Sequence, residues 1–299
     1  MTFRRTICAI LIVLSCLPYS LYSQQADTAH SHRRVLTTSV GLGTTYALSM
    51  TGLYALWYKG YGHSGFHFFN DNAEWLQMDK TGHFGSAYYL SSLGTALYTG
   101  AGLNEKKATI AGSAASLLFL STIEVFDGFS DNWGFSTGDM IANTGGTMLY
   151  AAQKIAWHEP RIVFKFSYHE TKYACIRQDQ LGSNFTERLF KDYNGQTYWL
   201  SANIGSFMKS SSKFPKWLNV ATGYSADGLT GARANPEYTP GYIERHRQFF
   251  IAPDIDLTKL KTRKKFVRGL LTTFGFIKFP APAIEFRDDG MIRAHWLYF

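Results

Sequence analysis

Two textures of hydrophobic and polar spacing divide this chain near residue 160. Before it, residues 35–58 carry no charge, and residues 81–104 carry none except on His83 when protonated. At about 1.5 Å of rise per residue, either stretch is long enough to cross a hydrocarbon core as a helix. Residues 108–123 and 140–157 are shorter apolar runs. Asn104-Glu105-Lys106-Lys107 and the polar segment 127–138 punctuate them. The pattern predicts four helices in antiparallel succession. Gly82, Gly85 and Ser86, and again Gly138, Ala142 and Gly145, recur at helical spacing and permit close backbone approach.

After Pro160 the period shortens to two. In residues 162–168, Phe164, Phe166 and Tyr168 fall on one face and Val163, Lys165 and Ser167 on the other, which predicts a strand. Further strands are expected over 198–207, 217–224 and 248–257. Residues 184–192 read as a short helix capped by Asn184 and stopped at Asn194-Gly195. Residues 262–274 read as a basic amphipathic helix, and 282–299 as a hairpin around Asp289-Gly290. Alternating strands that finish on an aromatic residue, here Phe299, are typical of outer-membrane barrels. The strands are fewer than the usual eight, and Arg293 and His295 share a face with Leu297. A small antiparallel sheet lying against the helices or a membrane surface is therefore expected instead. The fold class is α+β: an N-terminal antiparallel four-helix, membrane-associated bundle (35–158) followed by a mostly antiparallel β domain (160–299).

The first residues add a location. Arg4 and Arg5 precede an apolar run at 7–14, then Pro18, then Leu21-Tyr22-Ser23, which describes an export signal over residues 1–23. Cys16 is poorly placed for a lipoprotein box, with Leu14 just upstream and Leu17-Pro18 after it. Of the three cysteines only Cys175 would remain after cleavage, so no internal disulfide is expected, and Cys175 reads as a small buried residue. The formal net charge of +8 suits contact with a membrane lipid or lipopolysaccharide surface and envelope protein partners, not nucleic acid. Four inner-membrane spans would put Lys106 and Lys107 outside and the acidic 127–139 segment inside, against the positive-inside tendency. An outer-membrane or periplasmic location follows.

The candidate chemistry sits at helix ends. Asp79, Lys80 and His83 open the second helix, Glu124 and Asp127 close the third, and Ser136, Asp139 and Asn143 open the fourth. In antiparallel order all three groups share one end. Ionisable groups amid apolar surface are costly unless paired. Lys80 neutralising Glu124 or Asp139, with Ser136, Asp139 and Asp79 as caps, is one reason for them. The other is functional: an acid–base pair of His83 with Glu124 or Asp127, or a metal held by His83 with Asp139. No metal site and no cofactor are expected, because no ligand spacing for one appears. His63, Ser64 and His67 sit beside Phe66, Phe68 and Phe69 and suit an aromatic interfacial loop better than a metal site. Trp75, Trp133 and Trp157 fit a membrane-interface belt and core packing nearly equally.

Asp79-Lys80-Thr81-Gly82-His83-Phe84, Glu124-Val125-Phe126-Asp127-Gly128 and Trp133-Gly134-Phe135-Ser136-Thr137-Gly138-Asp139, with Asn143 and Gly146, form an ordered set. Through it, residues 70–157 resemble the YfiM-like family of predicted periplasmic lipoproteins of unknown function. A looser likeness links the same pattern to VanZ-like membrane proteins. The resemblance implies an envelope location, singles out the polar cluster and carries no established activity. The expectation is an envelope protein with a non-enzymatic role in envelope assembly or lipid-surface binding. The alternatives are a hydrolase or transferase acting on an envelope lipid, and a scaffold subunit of an outer-membrane complex.

Overall fold

The computed structural model describes residues 28–60, 62–209, 212–236 and 243–299. The export signal read over residues 1–23 lies outside them. The fold is α+β, and the chain divides into two compact units. Of the described residues, 28–72 and 83–160 form a helical unit. Residues 73–82 and 161–299 form a sheet unit.

Four long helices supply the first unit: α1 (Thr28–Leu53), α2 (Met78–Gly100, in this unit from His83 onward), α3 (Glu105–Gly128) and α4 (Thr137–Trp157). Local chemistry sets their ends. The Asn104 side chain accepts from the Lys107 amide at 2.9 Å and caps α3. Ser136 Oγ accepts from the Asp139 amide at 3.1 Å and caps α4. Helix α4 stops at His158, whose φ of 61° is left-handed. Glycines set the spacing between helices. A Cβ on Gly112 of α3 would overlap the backbone of Gly94 and Thr95 on α2, and one on Gly146 of α4 would overlap the Phe84 carbonyl. Tyr46 on α1 shares a 2.9 Å hydrogen bond with Thr122 on α3, and Ser39 shares one of 3.2 Å with Tyr98 on α2.

Two of these helices bury several polar residues and expose large apolar ones. On α3, Ser113, Ser116, Glu124 and Asp127 are buried while Ile110 and Leu118 are more than half exposed. On α4, Asp139, Asn143, Thr147 and Gln153 are buried, and Ile141, Met148 and Ile155 form an exposed stripe at seven-residue spacing. Among the described residues α3 alone is long and apolar enough to cross a membrane by length and composition.

In the sheet unit, six antiparallel strands pair in sequence order: β1 (Ile162–Tyr168), β2 (Gln196–Asn203), β3 (Leu218–Asp227), β4 (His246–Ile255), β5 (Ala281–Arg287) and β6 (Ile292–Tyr298). Short helices α5 (Tyr173–Ile176), α6 (Gln178–Leu181) and α7 (Phe185–Lys191) bridge β1 to β2, and α8 (Lys265–Thr273) lies between β4 and β5. Strand β2 stops at Asn203, short of the expected 207, because the Asn203 side chain accepts from the Ser206 amide at 2.9 Å and turns the chain. Cys175, expected to be buried, is exposed on α5.

The sheet is strongly curled. Laid flat, β2 and β6 would stand about 19 Å apart. Yet Thr197 Oγ1 and the Tyr298 hydroxyl meet at 3.0 Å, and the Tyr298 ring stacks on Phe250 at 4.3 Å. The inward face holds Trp199, Ala221, Phe250, Ala252 and Ala283 together with ion pairs. Lys165 Nζ lies 2.6 Å from Asp254 Oδ2, with both side chains essentially inaccessible, and Lys278 Nζ lies 3.7 Å from Asp254 Oδ1. Ser201 donates to the same Asp254 at 2.6 Å, and His295 Nε2 is 2.7 Å from Glu285.

A second core in this unit gathers Trp75, Met78, Tyr173, Leu181, Tyr193 and Leu229. It draws residues 73–82 to the sheet. Trp75, Leu76 and Gln77 all have left-handed φ (48°, 47° and 66°) just before α2 begins. Non-glycine residues hold that conformation at a cost of order 1–3 kcal/mol each. Here it is offset by the Trp75 amide donating to the Ala232 carbonyl at 2.6 Å and by Tyr224 and Arg247 donating to the Leu76 carbonyl.

Candidate functional site

Three helices of the helical unit converge on His83. From α2 its Nδ1 faces Asn143 Oδ1 of α4 at 3.3 Å and Glu124 Oε1 of α3 at 3.8 Å. Its Nε2 faces Asp139 Oδ1 of α4 at 3.8 Å. Glu124, Asp139 and Asn143 are almost completely buried, while the imidazole keeps 19 % of its surface. Glu124 Oε2 also accepts from the Ser136 amide at 3.4 Å, so the carboxylate that faces His83 helps hold the start of α4. Ser136 Oγ in turn donates to Asp71 Oδ1 at 2.7 Å.

This geometry limits the chemistry. At 3.8 Å the two carboxylates stand at ion-pair distance, outside hydrogen-bond range. His83 stands between them. Both ring nitrogens point at buried partners on neighbouring helices. The imidazole thus stands among side chains of three helices.

The other sequence-derived residues have partners of their own. Asp127 accepts from the Tyr58 hydroxyl at 2.8 Å, and the Tyr58 ring packs edge-on against Phe126 and Trp133. Asp79 and Lys80 are counted with the sheet unit. There Asp79 accepts from the Tyr193 hydroxyl at 3.0 Å, and Lys80 Nζ lies 3.6 Å from Asp79. His63 and His67 are used locally. His63 stacks on Tyr54, and His67 Nδ1 sits 3.1 Å from Ser64 Oγ. Around them the loop pairs with the chain after α3: the His67 amide donates to the Gly128 carbonyl and the Phe135 amide to the His67 carbonyl, each at 2.9 Å. Phe66, Phe68, Phe129 and Phe135 interlock at 5.3–5.7 Å between ring centres, and the first three remain exposed.

Sequence reasoning missed Asp71 and Tyr58. Both lie far along the chain from the residues they serve, Ser136 and Asp127, and no local spacing announces such pairs. It also missed the Lys165–Asp254–Lys278 group, because the alternation over 162–168 does not say which face turns inward.

Residues 65–153, less than a third of the chain, match the model of a family described as predicted periplasmic lipoprotein (DUF2279). The matched span contains His83, Glu124, Asp127, Ser136, Asp139 and Asn143. No curated protein and no solved structure matches the chain. The family description agrees with a cell-envelope, periplasmic location.

Proposed function

We propose that this chain is a non-enzymatic envelope protein that holds to a lipid surface. In this reading α1 to α4 form a membrane-associated four-helix bundle, with His83, Glu124, Asp139 and Asn143 as its internal lock. One observation carries it: α3 and α4 bury their polar and small residues and expose Ile110, Leu118, Ile141 and Met148. In water each such side chain forgoes roughly 1.5–3 kcal/mol of burial. Against acyl chains the same surface is at home, and packing between helices then rests on small residues and polar contacts.

Alkaline washing of membranes tests the reading. The wild-type protein is expected to stay in the pellet, and the double variant Ile141→Glu, Met148→Glu to leave it. Release of the wild type by the wash, or retention of the double variant, overturns the lipid reading.

The partial exposure of His83 supports a second reading, an envelope-lipid hydrolase or transferase with His83 as base and Glu124 or Asp127 as partner. Melting curves separate the two. A lock loses about 1–3 kcal/mol of stability in His83→Ala and in Asp139→Ala alike. A catalytic base leaves the melting temperature of His83→Ala unchanged while the cellular phenotype disappears.

A further inference from the structure

The second unit carries its own membrane signature, and it rests on observations separate from those behind the proposed function. The register aligns Phe249, Phe286 and Ile292 in one row across β4, β5 and β6, and Ile251, Ile284 and Ala294 in the next. Side chains two apart on a strand share a face, so Trp296, two residues beyond Ala294, stands on this face one step further along β6. Phe249, Ile251, Ile284 and Ile292 are 47–68 % exposed and Trp296 is 94 % exposed. The opposite face buries Asp254, Glu285 and Lys165. A sheet that turns carboxylates and ammonium groups inward and aromatics outward has the polarity of a lipid-facing sheet.

Charge indicates which lipid. The chain from Leu257 to Ile284 contains no acidic residue. Lys261, Arg263, Lys264, Lys265 and Arg268 are all exposed on α8 and the turn before it. Helix α8 also exposes Phe266 (77 %) and Leu270. The segment returns to the sheet at Ile277, bridged to Phe166 of β1, and enters β5 four residues later. Cations and exposed apolar side chains are thus consecutive on one stretch, an arrangement complementary to phosphate headgroups above acyl chains. We infer that the outward face of β4–β6, together with α8, seats in one leaflet of an anionic bilayer.

Tryptophan emission of the whole chain tests this, read as the difference between wild type and Trp296→Phe. The probe is vesicles of phosphatidylglycerol and phosphatidylethanolamine with brominated acyl chains. The Trp296 component is expected to shift to the blue and to be quenched about twofold, and Lys264→Glu, Lys265→Glu to remove at least about half of that quenching. Both positions are exposed, and unchanged melting curves establish that the variants fold. Three results overturn the inference. They are an unquenched Trp296, quenching that is equal in neutral phosphatidylcholine vesicles and indifferent to the charge reversal, and a blue shift without vesicles that grows with protein concentration. The last would mean that a second copy covers the face. The alkaline-wash result for the helical unit is read separately, so either reading can fail alone.

Discussion

The helical and sheet units both hide polar groups and display apolar ones, yet they stabilise their interiors by different means. In the helices the interior is narrow. Gly94, Gly112 and Gly146 bring backbones together, and the buried polar set is mostly neutral, with one imidazole set between two carboxylates. A helix satisfies its own amides and carbonyls, so small side chains suffice between helices. The sheet has a wider interior to fill, and it uses Trp199, Phe250 and Tyr298 beside ammonium–carboxylate pairs. Inverted polarity can thus be built on backbone proximity or on buried charge. The two should fail differently when perturbed.

The largest effect is expected at Asp254. Replacing it with alanine leaves Lys165 and Lys278 without the carboxylate that both face, and removing one side of a buried pair costs about 3–5 kcal/mol. The Ser201 hydroxyl loses its acceptor as well. Loss of folded protein, or a large fall in melting temperature, is the expected outcome. A cost smaller than that of Asp139→Ala in the helical unit would break the comparison, since the sheet would then not depend on its interior charge.

The next test sets backbone against side chain. Gly146→Leu puts a Cβ into the Phe84 carbonyl, and α2 and α4 can only separate; about 1–3 kcal/mol is expected. In Gly223→Ala the new methyl meets the Trp199 ring at 2.7–3.0 Å, so what must move is a side chain and not the backbone. Melting curves of both variants should show the helical substitution costing more. Equal costs would mean that the helices are no more tightly spaced than the sheet.

Much of this division was legible in the sequence. The change of period at Pro160, the break at Asn104, the capping residues Ser136 and Asn184, and the hairpin at Asp289-Gly290 all rest on local rules that the fold obeys. Of the polar residues grouped from their helix-end positions, Glu124, Asp139 and Asn143 face His83, Asp127 also faces Tyr58, and Asp79 also faces Tyr193. Which face of each strand turns inward was not legible, because alternation is symmetric: Lys165 and Phe166 fit the pattern equally well either way. The left-handed run at Trp75, Leu76 and Gln77 was also hidden. Nothing in those side chains favours positive φ, and partners more than a hundred residues away, Tyr224 and Ala232, hold them there.

The smallest effect tests whether a helix in the sheet unit depends on ionised groups as the interior does. Asn184 caps α7 by accepting from the Glu187 amide at 3.0 Å, and Glu187 reaches back to the Ser183 amide at 3.1 Å and to Lys191 Nζ at 3.1 Å. The Ser183 amide first, and then Lys191, hold the Glu187 carboxyl below its ordinary value. A carboxyl depressed in the folded state adds stability that is complete above its unfolded pKa, about 4.3, and is lost as pH falls through the folded value. Glu187→Gln mimics the protonated acid, so at pH 7 it should lower stability by only about 0.2–1 kcal/mol, the range of exposed charge pairs. As pH falls through the folded value the two proteins should converge, because the wild type then also lacks the charge. Paired denaturant titrations at pH 7 and pH 3 check this. A gap that persists at pH 3 would assign the contribution to the shape of the side chain and not to its charge, and α7 would then resemble the helical unit more than the sheet it serves.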